Sequence, residues 1–408
     1  MSGLNQKLTQ LRQQIGDIES RTNFSKSEIL KSRLRNQLRD SRLDIRYQVN
    51  SEKLTDEQLA EKLSGTVLSD GLIYIQSQQV LDNIHETYDA SGLITNFDTW
   101  PEQTSEHLED LLFIDTETTG LSGGSGILVF LLGVAEIVGH TIVNHQLLLN
   151  GFVGERAMLS WFNNKLKGNK TLVSYNGKSF DAPLLANRFR LHKMRSPLLA
   201  LPHIDLLHWI RRLYQKQWPD CRLPSAEQAC LAFHRQDDVS GAEAPAIWGE
   251  LIRRGATDQM QLLLRHHYWD VLSLVGLLDV VNKRIKPVKQ NKINYYAVAN
   301  YFLRAGKLIQ AKSFLEANRQ GLCDKGFLLL ANIYRKLDDG MEALEIWECL
   351  ARKNHEFAME KLAKHHEHVS KKVDVALSYT HRLLQVSMSP KHLKRQQRLT
   401  KKLKKVNC

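Results

Sequence analysis

The sequence has few cysteines and no C-x-x-C pair. Cys221, Cys230, Cys323, Cys349 and Cys408 are scattered and odd in number. That argues against a disulfide frame or a zinc site and points to reduced thiols in a cytoplasm. The N-terminal stretch lacks the apolar core of a secretion signal. The longest apolar run, Ile127 to Ala135, is far too short to cross a bilayer and contains Gly133, so it reads as a buried strand. A soluble, cytoplasmic protein with no membrane partner is expected. Acidic residues are also outnumbered, 44 Asp and Glu against 56 Lys and Arg, for a formal charge of +12. This balance favours a polyanionic partner such as nucleic acid. At 408 residues the chain can hold two or three domains and one sizeable core.

The remainder is organised around Leu111 to Leu121. Its first residues, Leu111 to Ile114, read as a buried strand that ends in Asp115 and Glu117. Residues two apart in a strand share a face, so both carboxylates look the same way. Like charges at the edge of an apolar core are costly unless neutralised, and hard oxygen donors suit Mg2+ or Mn2+. By itself the pair also fits the start of a solvated loop, with Thr118 to Gly120 as its turn.

Upstream, Leu4, Leu8, Leu11, Ile15 and Ile18 mark one face of an amphipathic helix, and Arg21 to Arg46 is polar and basic. Thr55 and Gln58 resemble a capping box, and Leu72 to Ile75 reads as a strand. Residues 1–100 are thus expected to be a helical, basic N-terminal extension. Downstream, Ile127 to Val138 and Thr141 to Leu149 read as strands joined at Gly139, suggesting an antiparallel meander with the first. A helix is expected over Glu155 to Leu166 and a fourth strand over Thr171 to Tyr175. Asn176-Gly177 then makes a turn, and Pro183 belongs in the first turn of the next helix. This puts Asp181 at a helix N-terminus, where a capping residue also belongs. A long helix over 257–281 carries His266 and Asp270 on one face, a pair that taken alone fits a helix surface.

Together these segments, a strand with D-x-E, an N-G-x-x-F-D entry to a helix and an acid on a late helix, resemble the DEDD (DnaQ-like) superfamily of 3′–5′ exonucleases. Leu223, Glu227, Arg235, Asp238, Gly241, Pro245 and Trp248, with the His266 to Leu274 run, look like the YprB-type branch. The resemblance covers 108–282 and implies an α/β ribonuclease-H-like domain, a mixed sheet flanked by helices. It further implies that Asp115, Glu117, Asp181 and Asp270 are catalytic and hold two Mg2+ or Mn2+ ions, and that the substrate is the 3′ end of DNA or RNA. Better-known branches carry a Tyr four residues before the last Asp or a His five before it. Here Arg265 stands five before and His266 four before, so His266 has the histidine's chemistry at the tyrosine's position and would serve as general base. Lys178 and Phe180 flank the second motif; an exposed loop lysine and a core-packed ring are expected. Asp205 is left out of the ligand set.

Beyond the linker from Lys283 to Lys292, Ala299, Phe302 and Ala311 recur at an offset of thirty-two as Ala331, Tyr334 and Ala343. Residues 293–390 therefore resemble tetratricopeptide helix pairs, which imply a protein or peptide partner. Lys391 to Lys405 has eight Lys or Arg and no acid, and 391–408 reads by default as a solvated, disordered basic tail. Two functions follow: a metal-dependent exonuclease, or a catalytically inactive nucleic-acid-binding scaffold that keeps the fold. Retention of four converging acids favours the first.

Overall fold

The chain's computed structural model describes residues 54–95, 100, 107–120 and 126–406. The helix expected from Leu4 to Ile18 and the stretch from Arg21 to Arg46 lie outside the described residues. The strands are β1 (Thr66–Ser69), β2 (Leu72–Val80), β3 (Leu111–Thr118), β4 (Val129–Val138), β5 (Thr141–Leu149), β6 (Thr171–Ser174) and β7 (His203–Asp205). They form one sheet in the order β1-β2-β5-β4-β3-β6-β7. From β1 to β3 every neighbouring pair is antiparallel; β6 and β7 add on in parallel. The meander of β3, β4 and β5 and the mixed α/β architecture match expectation.

The physical logic is visible in β3. Leu111 to Ile114 are completely buried, whereas Asp115 to Thr118 are only partly covered, so the strand runs from the core to an open edge. The parallel step from β5 to β6 requires a crossover. Helix α2 (Glu155–Lys165) supplies it, burying Met158, Leu159 and Phe162. From β6 the chain turns into α3 (Asp181–Leu191). These two helices are tied together where Arg188 on α3 pairs with Glu155 on α2 at 2.5 Å.

The hairpin of β1 and β2 extends the sheet beyond the span 108–282, because β2 pairs along its length with β5. Its strand runs on to Val80, past the expected Leu72–Ile75. Gln76, Ser77, Gln78 and Gln79 obscure it in sequence, yet the ladder to β5 holds them extended. The helix α1 (Asp56–Lys62) precedes it, with the Thr55/Gln58 capping box formed in both directions.

Three shorter helices, α4 (Leu206–Tyr214), α5 (Leu223–Leu231) and α6 (Ala244–Arg254), lead to α7 (Asp258–Ile285). Helix α7 is 28 residues long and packs across β3, β4 and β5 through side chains such as Val271, Leu274 and Leu278. All three shorter helices pack against it.

The C-terminal part is all-helical: α8 (Tyr295–Arg304) with α9 (Leu308–Ala317), α10 (Asp324–Lys336) with α11 (Gly340–Arg352), and α12 (Glu356–His368) with α13 (Val373–Val386). The repeating residues Ala299, Phe302, Ala311, Ala331, Tyr334 and Ala343 are all buried where these helices meet. Trp209 of α4 joins the two parts, lying edge-on to Tyr301 at 5.0 Å. The expected disordered tail is instead helix α14 (Pro390–Val406), packed on α13. Composition hid this because the compensating charge is elsewhere in the chain. Glu367, fully buried, accepts from Arg398 at 2.8 Å and from Lys402 at 3.2 Å.

Candidate active site

Asp115 and Glu117 leave the buried part of β3 at the sheet's open edge. Burial pushes the Asp115 carboxyl well above the usual range, and Asp270, Asp181 and Glu117 add to it. Burial also pushes Glu117 up to about 8, with Asp270 and Asp181 contributing. Each acid thus feels the others, which requires the strand, α3 and α7 to bring them together. Asp115 and Asp270 are separated in sequence by 155 residues, from position 115 to position 270.

The turn before Asp181 explains how the second acid arrives. Gly177 has no side chain because a Cβ there would lie 2.4 Å from Ser174 Oγ and 3.1 Å from Asp181 Oδ2. Asp205 holds the same turn, accepting from the backbone N–H of Asn176 at 2.8 Å and of Lys178 at 3.2 Å. Its carboxylate also caps α4 at Leu207, so it is an organiser of the turn. Asp181 is the first residue of α3 but makes no cap; its Oδ1 accepts from the Thr116 hydroxyl of β3. That bond opposes the rise that burial imposes on Asp181, whose carboxyl is pushed up to about 6. Phe180 is 58% exposed beside it, contrary to the expected core packing: the turn aims the ring outward. Lys178 is exposed, as expected of a loop lysine.

Helix α7 supplies the rest. Asp270 Oδ2 lies 3.3 Å from His266 Nε2, and His266 Nδ1 lies 2.7 Å from Asp238 Oδ1. Glu117, His266 and Asp270 each offer a ligand atom within 4.8 Å of the others. The donor set of carboxylate oxygens and one imidazole fits a hard divalent cation such as Mg2+ or Mn2+.

Three residues whose part sequence reasoning missed support these acids. Arg235, nearly buried, donates to Asp270 Oδ1 and to both oxygens of Glu227, at 2.6 and 2.8 Å. Burial opposes its charge, but Asp270 and Glu227 hold it protonated. Glu227, on α5, is fully buried and also accepts from Ser273 at 2.6 Å. His267 is fully buried too; its Nε2 lies 3.3 Å from the Asp115 carbonyl and 3.6 Å from its carboxylate. Burial lowers its pKa to about 4, so its ring is neutral. Gln146 donates to Nδ1 at 3.1 Å, leaving Nε2–H to donate toward Asp115. Arg235 and Glu227 were visible in sequence only as parts of the branch resemblance.

The comparisons with known proteins agree with this geometry. Residues 112–282 match the family model RNase_H_2 of the RNase_H superfamily. Over 320 residues the chain is 32% identical to the protein described as "Uncharacterized protein YprB" of Bacillus subtilis (strain 168), spanning 73% of this chain and 76% of that one. A family B DNA polymerase from the hyperthermophilic archaeon Pyrobaculum calidifontis aligns with a TM-score of 0.37 and 14% identity, over 55% of this chain and 28% of the polymerase. No helix among the described residues is long and apolar enough to cross a membrane. Domains of the RNase H superfamily are usually nucleases that use divalent metals, and a carboxylate-rich edge of this kind is compatible with nucleic-acid hydrolysis. The chain belongs to the family of YprB, with an RNase H superfamily domain at residues 112–282.

Proposed function

We propose that this protein is a metal-dependent 3′–5′ exonuclease. The observation that carries the reading is the meeting of Asp115, Glu117, Asp181 and Asp270, from three separate elements, so closely that burial and mutual repulsion raise the carboxyls of Asp115 and Glu117. Four acids held together without a counter-charge destabilise a fold, so their retention calls for cations. These four would hold two divalent ions, Mg2+ or Mn2+. When bound, such ions supply Lewis-acid stabilisation of the anionic phosphodiester and activate water.

The chain's own groups do the remainder. His266, oriented by Asp238 at 2.7 Å, would take the proton of the attacking water. Arg235 and His267 hold Asp270 and Asp115 in place. Exposed Lys178 and Phe180 stand beside Asp181, suited to contact a phosphate and stack on the terminal base. A second role for His266 has its own support: its approach to both Glu117 and Asp270 makes it a candidate cation ligand. The helix pairs from α8 to α13 fit a tetratricopeptide-like stack that takes up a protein partner. Cytoplasmic residence would suit this chemistry and the unpaired thiols.

The decisive experiment incubates the full chain with end-labelled DNA and RNA oligonucleotides, with Mn2+ or with chelator, beside Asp115→Asn. Stepwise shortening from an open 3′ end that vanishes in chelator and in the variant supports the reading. Equal cleavage of circular or 3′-blocked substrate would assign an endonuclease instead. No cleavage of any substrate with either metal would favour the inactive scaffold.

A further inference from the structure

A second concave surface, away from the acids, carries the opposite charge. It is a cavity of about 690 Å3 where the end of α4, the end of α7 and the linker after α7 meet, within the roughly 300–1,000 Å3 of small-ligand sites. Its apolar wall is aromatic. Tyr214 and Trp218 stack at 4.3 Å with their planes 7° apart, and Trp218 remains only half-buried. Tyr88 lines another side, with the Lys283 ammonium 5.2 Å from its ring centre.

The polar lining includes Arg284, Lys289 and Lys292 together with Gln217 and Gln290, and contains no Asp or Glu. Asp279, one turn before Lys283 on α7, is fully buried and already engaged by Lys283 at 2.5 Å and Tyr88 at 2.8 Å. Lys289 and Lys292 are exposed and have no carboxylate partner among the described residues. Cations without counter-charges beside an accessible aromatic face suit a ligand with both phosphates and flat bases. In a duplex the base faces are stacked away, so a single strand is the better match.

We propose that this cavity binds a segment of single-stranded nucleic acid, with a base against Trp218 and the adjoining phosphates at Arg284, Lys289 and Lys292. It takes nucleic acid as the ligand class from the proposed function but requires no cleavage. Asp270 and Arg284 lie fourteen residues apart on one helix, or about 21 Å at 1.5 Å per residue. A strand engaging both sites must therefore be several nucleotides long.

The test measures anisotropy of fluorescein-labelled oligothymidylate and oligouridylate on the full chain in chelator, over a range of salt. The double variant Lys289→Glu/Lys292→Glu is expected to bind about tenfold more weakly or worse, with a salt slope reduced by about two. Trp218→Leu should lose about tenfold, while Trp218→Phe stays within about twofold of wild type. The control Lys353→Glu/Lys371→Glu makes the same charge change far along the chain and should leave affinity within about twofold. Wild-type affinity in the cavity variants, or an equal loss in the control, would overturn the assignment. Cleavage that persists with unaltered binding in the cavity variants sinks this site alone. Loss of binding in those variants, without cleavage in any metal, sinks only the nuclease.

Discussion

Arg235 holds Asp270 with the same guanidinium that grips Glu227, so an acid of the candidate site is anchored to a fully buried carboxylate on α5. This cation stands beside Asp270 and limits how much negative charge the acid edge presents. Its loss strands Glu227 in the interior without a partner. Arg235→Met should therefore cost about 3–5 kcal/mol in urea unfolding. The double variant Arg235→Met/Glu227→Gln, which removes the charge of both partners, should recover part of that loss; equal destabilisation in the two would refute the pairing as the cause.

Asp115→Asn should leave the protein folded and lower metal-dependent cleavage by at least about 10³-fold. Circular dichroism and end-labelled cleavage on the same preparation check both halves. Full activity in this variant removes Asp115 from the mechanism.

The metal-free protein should lose stability as pH rises. Carboxyls whose pKa is raised on folding favour the folded state while protonated, and that advantage disappears once they must ionise. The loss should begin above the ordinary carboxylate range near pH 4. It should continue through about 6, for Asp181, and about 8, for Glu117. Melting curves in chelator from pH 5 to 9 would show this decline, and Mn2+ should flatten it by supplying the missing positive charge. A melting point independent of pH, in chelator, contradicts the clustering of acids.

The two readings of His266 separate cleanly. As a general base, His266→Gln should depress the rate and remove the acidic limb of the pH–rate profile while Mn2+ affinity stays near wild type. As a ligand, the same substitution should weaken Mn2+ binding about tenfold or more, as titration calorimetry would report.

Gly133 pairs with Asp115 across the β3–β4 ladder, and a Cβ at that position would sit 2.5 Å from the His267 ring. Gly133→Ala must displace His267, and Asp115 with it. A loss of about 1–3 kcal/mol is expected, with weaker Mn2+ binding than wild type. Unchanged stability would mean that the ring has room to shift.

What the sequence disclosed follows from how local each signal is. Asp115 and Glu117 were legible because a strand's alternation fixes their common face, and Asp181 because Asn176-Gly177 and Pro183 mark a turn into a helix. The long apolar helix made Asp270 and His266 visible. Arg235 and His267 were not assigned roles, since their partners lie 35 and 152 positions away and only the packing of α7 joins them. Phe180 turned outward for a comparable reason: its direction depends on the turn that Asp205 holds from β7. Strand β2 was cut short in the reading because its glutamines carry no apolar period, and α14 was missed because Glu367 supplies its counter-charge from another helix.

The placement of α7 also bears on how the protein is made. Strands β3, β4 and β5 leave the ribosome more than a hundred residues before the helix that covers them, since β5 ends at Leu149 and α7 begins at Asp258. Until then, that apolar face has no lid and Asp270 does not yet exist in the growing chain. The acid cluster is thus completed late in synthesis, so a nascent or truncated chain ending before Asp258 carries an open sheet and an unfinished site.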